Sequence, residues 1–333
     1  MQIFSFISVG SLGAPAIGGV LYEKTGYAGV FGVAFALLAV DFIMRVLVIE
    51  KKIAKRYDGE TTSEGEHSAT NPRQQNEGHN DEEQQQPNEE DPLLGHKNAP
   101  NDKDAYKLNP DQPKIAHMVP ILPCLKNPSL LTSLLVALVQ ALCLGSFDAT
   151  VPLVAREYFG FDSLKAGLLF LPLGAFDLVL GPVFGWAVDR YGTKVVAVGS
   201  YTYLVPAFVL LRLPHAGGLH QMLLYGGCLA ICGVGLAGIG APSMVEAGAV
   251  VEKYYDANPE FFGEQGPYAQ LYGLQSMVFS AGLSLGPELA GELRQAIGYG
   301  NMNAVLAGVC GFTAILCFVY LGGTPRFLRK ARV

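Results

Sequence analysis

Ser8-Val9-Gly10-Ser11-Leu12-Gly13-Ala14-Pro15-Ala16-Ile17-Gly18-Gly19-Val20-Leu21-Tyr22-Glu23-Lys24-Thr25-Gly26-Tyr27 stands near the start of the chain. Ser280-Ala281-Gly282-Leu283-Ser284-Leu285-Gly286-Pro287-Glu288-Leu289-Ala290-Gly291-Glu292-Leu293-Arg294-Gln295-Ala296-Ile297-Gly298-Tyr299 stands near its end. Laid over each other at a fixed offset of 272 residues, they share Ser8/Ser280, Gly10/Gly282, Pro15/Pro287, Gly19/Gly291, Leu21/Leu293, Gly26/Gly298 and Tyr27/Tyr299. Both lie in long apolar stretches. A hydrophobic helix punctuated by Gly and Pro, recurring at matching places, implies a membrane protein built from two like halves.

The rest of the chain is read outward from that repeat. A membrane-spanning helix needs about 20 mostly apolar residues. Eight such spans are expected, near 2–22, 27–49, 129–154, 164–188, 195–212, 221–246, 268–293 and 301–322. The repeat falls on the first and the seventh, six apart, so a half has six helices. The second copy has one helix after it and is the fifth of its half. The spans are therefore TM5 to TM12, and four helices are expected ahead of Met1. The expected class is an all-α integral membrane protein. Residues 1–49 hold TM5 and TM6, 129–323 hold the six-helix second half, and 324–333 form a tail. Residues 50–128, with runs such as Asp81-Glu82-Glu83-Gln84-Gln85-Gln86, are too polar to bury a core and are expected to be a disordered acidic connector.

Composition agrees. Half of the 333 residues are hydrophobic, 16% are charged and mean hydropathy is +0.29 despite the polar block. Forty glycines suit helices packed backbone to backbone. The net charge of −6 marks no acidic-substrate or nucleic-acid role, because much of the acid sits in the connector and no basic, aromatic-interleaved patch exists. All six histidines lie outside the spans and no Cys-x-x-Cys pair occurs, so neither a metal nor a cofactor is expected. Cys228 and Cys232, one turn apart in an apolar run, read as packing residues. Lys51, Lys52, Lys55, Arg56, Lys126, Arg190, Lys194, Lys253, Arg326, Arg329, Lys330 and Arg332 fall on one side of the bilayer. That puts the connector, the 189–194 loop and the tail in the cytoplasm.

Gly185-Trp186-Ala187-Val188-Asp189-Arg190-Tyr191-Gly192-Thr193-Lys194 follows TM8 and matches the pattern G-x-x-x-D-R-x-G-x-K. Gly185 permits close approach of TM8 to a neighbour. Asp189 suits the positive end of an adjacent helix. Gly192 allows a tight turn, and Arg190 and Lys194 anchor the cytoplasmic face. With this loop, the helix count and the connector, the chain resembles the major facilitator superfamily. Gly10, Gly13, Pro15, Gly18 and Gly19 in TM5, with Gly282, Gly286, Pro287 and Gly291 in TM11, look like the motif of its antiporter members. Tyr268-Ala269-Gln270-Leu271-Tyr272-Gly273, Gly286-Pro287, Gly298-Tyr299 and Phe170-Leu171-Pro172 are similar to vesicular amine transporters and their fungal drug:proton antiporter relatives. Where amine transporters use acidic residues in TM10 and TM11, Gly240 and Ser276 stand here.

The resemblance implies secondary transport of a small organic solute by alternating access, with proton exchange as the driving reaction and no enzymatic chemistry. Ionisable groups inside a membrane are costly and default to functional candidates. Asp177, mid-TM8, and Asp148, just before Pro152 in TM7, come first. Glu288 follows as the buried member of the Glu288/Glu292 pair, Glu292 having Arg294 at hand. Glu246, ending TM10, is a candidate inner-gate or interfacial carboxylate. Gln140 and Gln275 are candidates for lining a polar cavity, and Tyr201, Tyr203, Tyr225 and Tyr272 for ligand contact or packing. Asp41 and Arg45 pair along TM6. Gly233-Val234-Gly235-Leu236-Ala237-Gly238 copies a dinucleotide fingerprint, yet lacks the strand–helix context and reads as close packing or a hinge. Glu89, Leu93 and Leu94 form a candidate dileucine sorting signal for an adaptor protein, pointing to a vacuolar or endosomal membrane beside the plasma membrane. The rival reading is a truncated or regulatory, non-transporting form.

Overall fold

A computed structural model describes residues 2–47, 106–108, 116, 119–263 and 266–322, with side chains at Ala14 and from Ile17 onward. The candidate sorting signal and the 324–333 tail lie outside the described residues. Helix α1 (Gln2–Leu47) is broken at Gly26. Then follow α2 (Pro128–Phe159), α3 (Ser163–Leu168), α4 (Phe170–Tyr191), α5 (Thr193–Leu210), α6 (Leu219–Ala257), α7 (Pro259–Phe262), α8 (Tyr268–Ile297) and α9 (Tyr299–Tyr320). Each of the eight expected spans lies on a helix.

Among the described residues, six stretches are both long and apolar enough to cross a membrane: Ile17–Leu47, Pro128–Phe159, Ser163–Tyr191, Thr193–Leu210, Leu219–Ala257 and Tyr299–Tyr320. Helix α8 has the length, but Gln270, Gln275, Glu288, Glu292 and Arg294 dilute its hydropathy. Two boundaries are corrected. The TM10 span, expected to stop at residue 246, continues to Ala257, so α6 has 39 residues. At about 1.5 Å per residue it is roughly 58 Å long and outruns the apolar bilayer core, about 30 Å thick. TM8 starts as the separate turn α3, divided from α4 at Leu169.

The chain divides into two compact units, 1–24 with 97–333, and 25–96. The second unit's described part is the helical stretch 25–47, which exposes Phe35, Leu37, Leu38 and Phe42 and carries the expected Asp41–Arg45 ion pair at 2.8 Å. The first unit holds the core. Helix α8 packs along α2, α4 along α6, and α9 along α5. Small residues make this possible. A Cβ on Gly282 or Gly286 would stand 2.5 Å from the Leu138 or Leu142 carbonyl oxygen of α2. On α6, a Cβ on Gly233 would meet the Leu173 backbone of α4 at 2.2 Å, and one on Gly238 would meet Ser200 Oγ of α5 at 2.1 Å. The fingerprint-like glycines therefore serve close packing. Phe147 and Phe208 stack at 5.4 Å, and all six cysteines are free and buried. Cys124, in the 3-10 turn Cys124–Lys126, has its thiol pushed up to about 12 by burial, which leaves it an inert packing residue.

The repeat is written in the backbone as well. Gly26 has φ 68° and ψ −166°, and its counterpart Gly298 has φ 82° and ψ 161°. Both sit in the region that only glycine occupies readily, and each is followed by the Tyr that starts the next helical segment. Nothing lies within 4 Å of a Cβ at Gly298, so the constraint there is conformational. Gly298→Ala is expected to cost about 1–3 kcal/mol. Gly291→Ala, inside α8 with equally open space, should be neutral or stabilising by up to about 1 kcal/mol. Denaturation in micelles followed by Trp186 fluorescence checks the ranking.

The connector expectation, 50–128, is corrected at its end. Ala116 is buried, and Ile121 and Cys124 are buried in a cluster with Leu130, Val251, Tyr254 and Leu271, against which Tyr106 and Leu108 pack. These apolar residues interrupt the polar composition and find a surface on the tips of α6 and α8.

Candidate functional site

The end of the bundle that carries the 189–194 loop is organised by Glu246. Its Oε1 accepts hydrogen bonds from Ser129 Oγ (2.7 Å) and the Gly322 backbone N–H (3.0 Å), and its Oε2 accepts one from Thr193 Oγ1. Ser129 and Thr193 stand at the N-terminal ends of α2 and α5, where helix dipoles favour a negative charge. Gly322 follows the C-terminal end of α9. Glu246 is 7% exposed, and one carboxylate draws three helix ends to α6.

Further along α6, an uncharged polar layer forms where α2, α6 and α8 meet. Gln275 Nε2 donates to Ser243 Oγ (3.3 Å), and Ser243 Oγ donates to the Gly240 carbonyl (3.3 Å). Gln140 Nε2 of α2 lies 3.3 Å from where a Cβ on Gly240 would stand. Pro242 interrupts the α6 hydrogen-bond ladder at this level. Gln275 is 6% exposed and its Oε1 is buried with no hydrogen-bond partner. An unsatisfied buried acceptor costs about 1–3 kcal/mol.

The carboxylates expected inside the bundle fare differently. Glu288 is exposed, which corrects its expected burial. Gly282, Gly286 and Ala290 form the buried stripe of α8, and a residue two positions from two of them points the other way. Arg294 pairs with Glu157 of α2 at 2.6 Å, and not with Glu292. Asp148 is exposed on α2 without a hydrogen bond or ion pair among the described residues. Asp177 is half-buried. It shares a stripe of α4 with Leu173, Phe184 and Val188. Leu173 and Phe184 touch α6 at Gly233 and Gly238, so Asp177 lies on the α6-facing side. Tyr201 and Tyr225 are fully buried and structural: Tyr201 donates to the Val136 carbonyl (2.8 Å), and Tyr225 bonds Tyr299 through their hydroxyls (3.2 Å). Tyr203 and Tyr272 are exposed.

In the loop motif, Gly192 turns the chain at φ 88° and ψ 157°. Arg190 lies 5.4 Å over the Trp186 ring, and Lys194 lies 5.1 Å over the Phe318 ring. Gly185 is half-buried. Asp189 is exposed and bonds nothing among the described residues; the helix-end contact expected of it is not formed there, and Thr193 makes the loop's buried bond instead. In the antiporter-type motif, Gly10, Gly13 and Pro15 lie within α1 where side chains are outside the described residues. A Cβ on Gly19 would come within 2.9 Å of the Ser163 carbonyl, whereas Gly18 and Gly291 are open. A surface cleft lined by Tyr158, Arg212, His215, Tyr299 and Asn301 lies apart from the polar layer. No group of three or more potential metal ligands occurs among the described residues.

Comparison with known proteins gives the family. Residues 3–255 match the Major Facilitator Superfamily. A protein named MFS-type transporter ppzB from Metarhizium majus is 42% identical over 328 residues, 96% of this chain and 70% of that protein. Its namesake from Metarhizium rileyi is 42% identical over 331 residues, again 96% of this chain and 67% of that one. An uncharacterized MFS-type transporter, C18.02, from Schizosaccharomyces pombe is 31% identical over 316 residues, 94% of this chain and 64% of its own length.

Proposed function

The chain belongs to the major facilitator superfamily, whose members carry solutes across membranes, and from that membership we propose that it moves a small organic solute by alternating access in exchange for protons. It is an integral multi-pass membrane protein. The observation that carries the solute reading is the neutral layer of Gln140, Ser243 and Gln275. An interhelical amide with an unsatisfied oxygen is an expensive way to hold α2, α6 and α8 together. It is a useful one if a solute N–H or O–H reaches that oxygen when the helices part. The same layer carries no carboxylate, which favours solutes recognised by hydrogen bonds. Asp177 is the first proton-coupling residue, with Asp148 and Glu288 after it. The Lys- and Arg-rich end, with Glu246 and the 189–194 loop, faces the cytoplasm.

The test uses the chain in proteoliposomes loaded with the pH dye pyranine, challenged with a panel of neutral and cationic organic solutes. The first solute to evoke a proton flux becomes the probe. Gln275→Leu should raise its KM about tenfold, the worth of one lost hydrogen bond of roughly 1.4 kcal/mol. The unfolding midpoint should stay level or rise, because the orphaned oxygen is gone. A lower midpoint with an unchanged KM would make Gln275 a structural residue.

A further inference from the structure

Helix α5 starts at the Glu246 end of the bundle and stops at Leu210, and α9 starts at Tyr299 and runs back toward Gly322. The turn after α5 and the first turn of α9 therefore meet at the opposite end. Between them and Tyr158, near the end of α2, lies a cleft of about 240 Å³. Pockets for drug-sized ligands hold roughly 300–1,000 Å³, so this one suits a single small group. Arg212 lies against the first turn of α9: a Cβ on Gly300 would stand 3.5 Å from its Cγ and 3.7 Å from its Nε. Its Nη2 donates to Asn301 Oδ1 (3.1 Å), and Asn301 Nδ2 donates to the Ile297 carbonyl (2.9 Å). The guanidinium is thus held in place with N–H groups to spare. No acidic residue lines the cleft. Glu157, beside Tyr158, is tied to Arg294 at 2.6 Å.

The first intrahelical bond of α9 runs from the Met302 N–H to the Gly298 carbonyl. The N–H groups of Tyr299, Gly300 and Asn301 stand before that ladder, and Gly298 has no side chain to cap them. They form the positive end of a 22-residue helix dipole. The Arg212 cation rests on that positive end, which repels it. His215 adds its imidazole to the same wall. A further donor lies beneath the floor. Asn303 is 1% exposed, and its Nδ2 is buried with no hydrogen-bond partner. It stands one turn after Tyr299. Helical side chains lean toward the N-terminus, so Asn303 is aimed at the cleft end of α9.

We propose that this cleft binds a phosphate-type oxyanion. A guanidinium and a helix N-terminus repel each other when empty-handed and attract a common anion when one sits between them. Both are phosphate-recognising groups, one through its planar fork and the other through backbone N–H groups. The donors come from separate elements and converge from different sides. That suits a tetrahedral oxyanion better than a planar carboxylate. Two sources share this chemistry. Inorganic phosphate could enter from solution, and a lipid could present its headgroup with its chains along the exposed Leu213, Leu219 and Ile297. Once bound, the oxyanion joins the end of α2, the turn after α5 and the start of α9. The site stands apart from the Gln140–Ser243–Gln275 layer and does not depend on the transport reading.

The probes are inorganic phosphate and phosphatidic acid, each titrated into the full chain in phosphatidylcholine nanodiscs. The readout is the unfolding midpoint by Trp186 fluorescence, with sodium chloride at equal ionic strength as the control. A probe that binds the folded state should raise the midpoint saturably, by a few degrees. Arg212→Gln keeps a donor for Asn301 and removes the charge. It should weaken half-saturation about tenfold or more, the worth of a lost hydrogen bond to a charged group. Its midpoint without probe should stay level or rise, because the repulsion at the α9 N-terminus is gone. His215→Gln should weaken half-saturation about threefold, and it carries the test if Arg212→Gln does not fold. A rise with free phosphate assigns the soluble source, and a rise with phosphatidic acid alone assigns the headgroup. Acetate that matches phosphate overturns the tetrahedral assignment. No rise beyond chloride with either probe, or a rise that both variants keep undiminished, overturns the site.

Discussion

Glu246→Ala is expected to destabilise the helical bundle by about 3 kcal/mol or more, because hydrogen bonds to a charged group are worth about 1.5–3 kcal/mol each and three donors lose their acceptor together. All three come from ends of other helices: Ser129 at the start of α2, Thr193 at the start of α5 and Gly322 after α9. The variant leaves these donors facing a cavity. Glu246→Gln keeps the volume and one acceptor oxygen, and the Thr193 hydroxyl can rotate to accept from the new amide, so its cost should be about half. Ser129→Ala and Thr193→Val should each fall near 1 kcal/mol. Asp41→Ala is the control. Its partner Arg45 is at 2.8 Å, but the pair is exposed on a single helix and should shift nothing measurable. The order Ala, then Gln, then the single donors, then Asp41 is the outcome that supports a helix-end clamp. Trp186, the chain's one tryptophan, lies near the end of α4 against the Tyr191 ring and reports the transition by fluorescence in micelles. Equal midpoints for Glu246→Ala and Asp41→Ala would remove the clamp from the account.

The helical architecture was legible because its signals are periodic and local. Apolar runs of bilayer length are visible without any partner, and the Ser8–Tyr27 and Ser280–Tyr299 copies show even the two glycines that share an unusual backbone conformation. The exposure of Glu288 could have been read from the same arithmetic, since Gly282, Gly286 and Ala290 already mark the packed stripe. What stayed hidden depends on distant pairing. Glu246 is bonded by residues 117, 53 and 76 positions away, and nothing in its own surroundings announces a serine, a threonine and a backbone amide converging on it. Gln140 and Gln275 were identifiable as polar residues in apolar spans. That one of their oxygens is left without a donor is a property of three helices at once. Asn258, which accepts from the Leu108 N–H and donates to the Tyr106 carbonyl, carried only the signal of a residue before proline at a helix end. It reads backbone, and a backbone-reading site leaves no complementary side-chain motif in the segment it holds.

Asp177→Asn is expected to abolish accumulation of the probe solute against its gradient when a pH difference is imposed across the proteoliposome membrane, while exchange of solute down its own gradient survives. Proton coupling needs a group whose protonation differs between the inward- and outward-open states, and a carboxamide cannot change its charge over the working pH range. Asparagine keeps the volume and one oxygen of Asp177, so a role confined to hydrogen bonding would survive the exchange largely intact. The location suits the coupling role. Asp177 lies midway along the Ser163–Tyr191 span, on the stripe of α4 that meets α6, the helix that also carries Gly240, Ser243 and Glu246. A change in its charge would act on a contact built from close backbone approach, with Gly233 seated against the Leu173 backbone. A carboxyl at this depth is tolerated when it is bonded or protonated for part of a cycle, and moving it between those conditions biases one packing of α4 on α6 against another. The decisive comparison is accumulation with and without the pH gradient, set beside counterflow in its absence. Loss of the first with retention of the second assigns coupling to Asp177. Loss of both would mean that the substitution blocks the helix movement itself, and retention of both would pass the coupling role to Asp148 and Glu288, whose exposed faces on α2 and α8 are then the places to substitute.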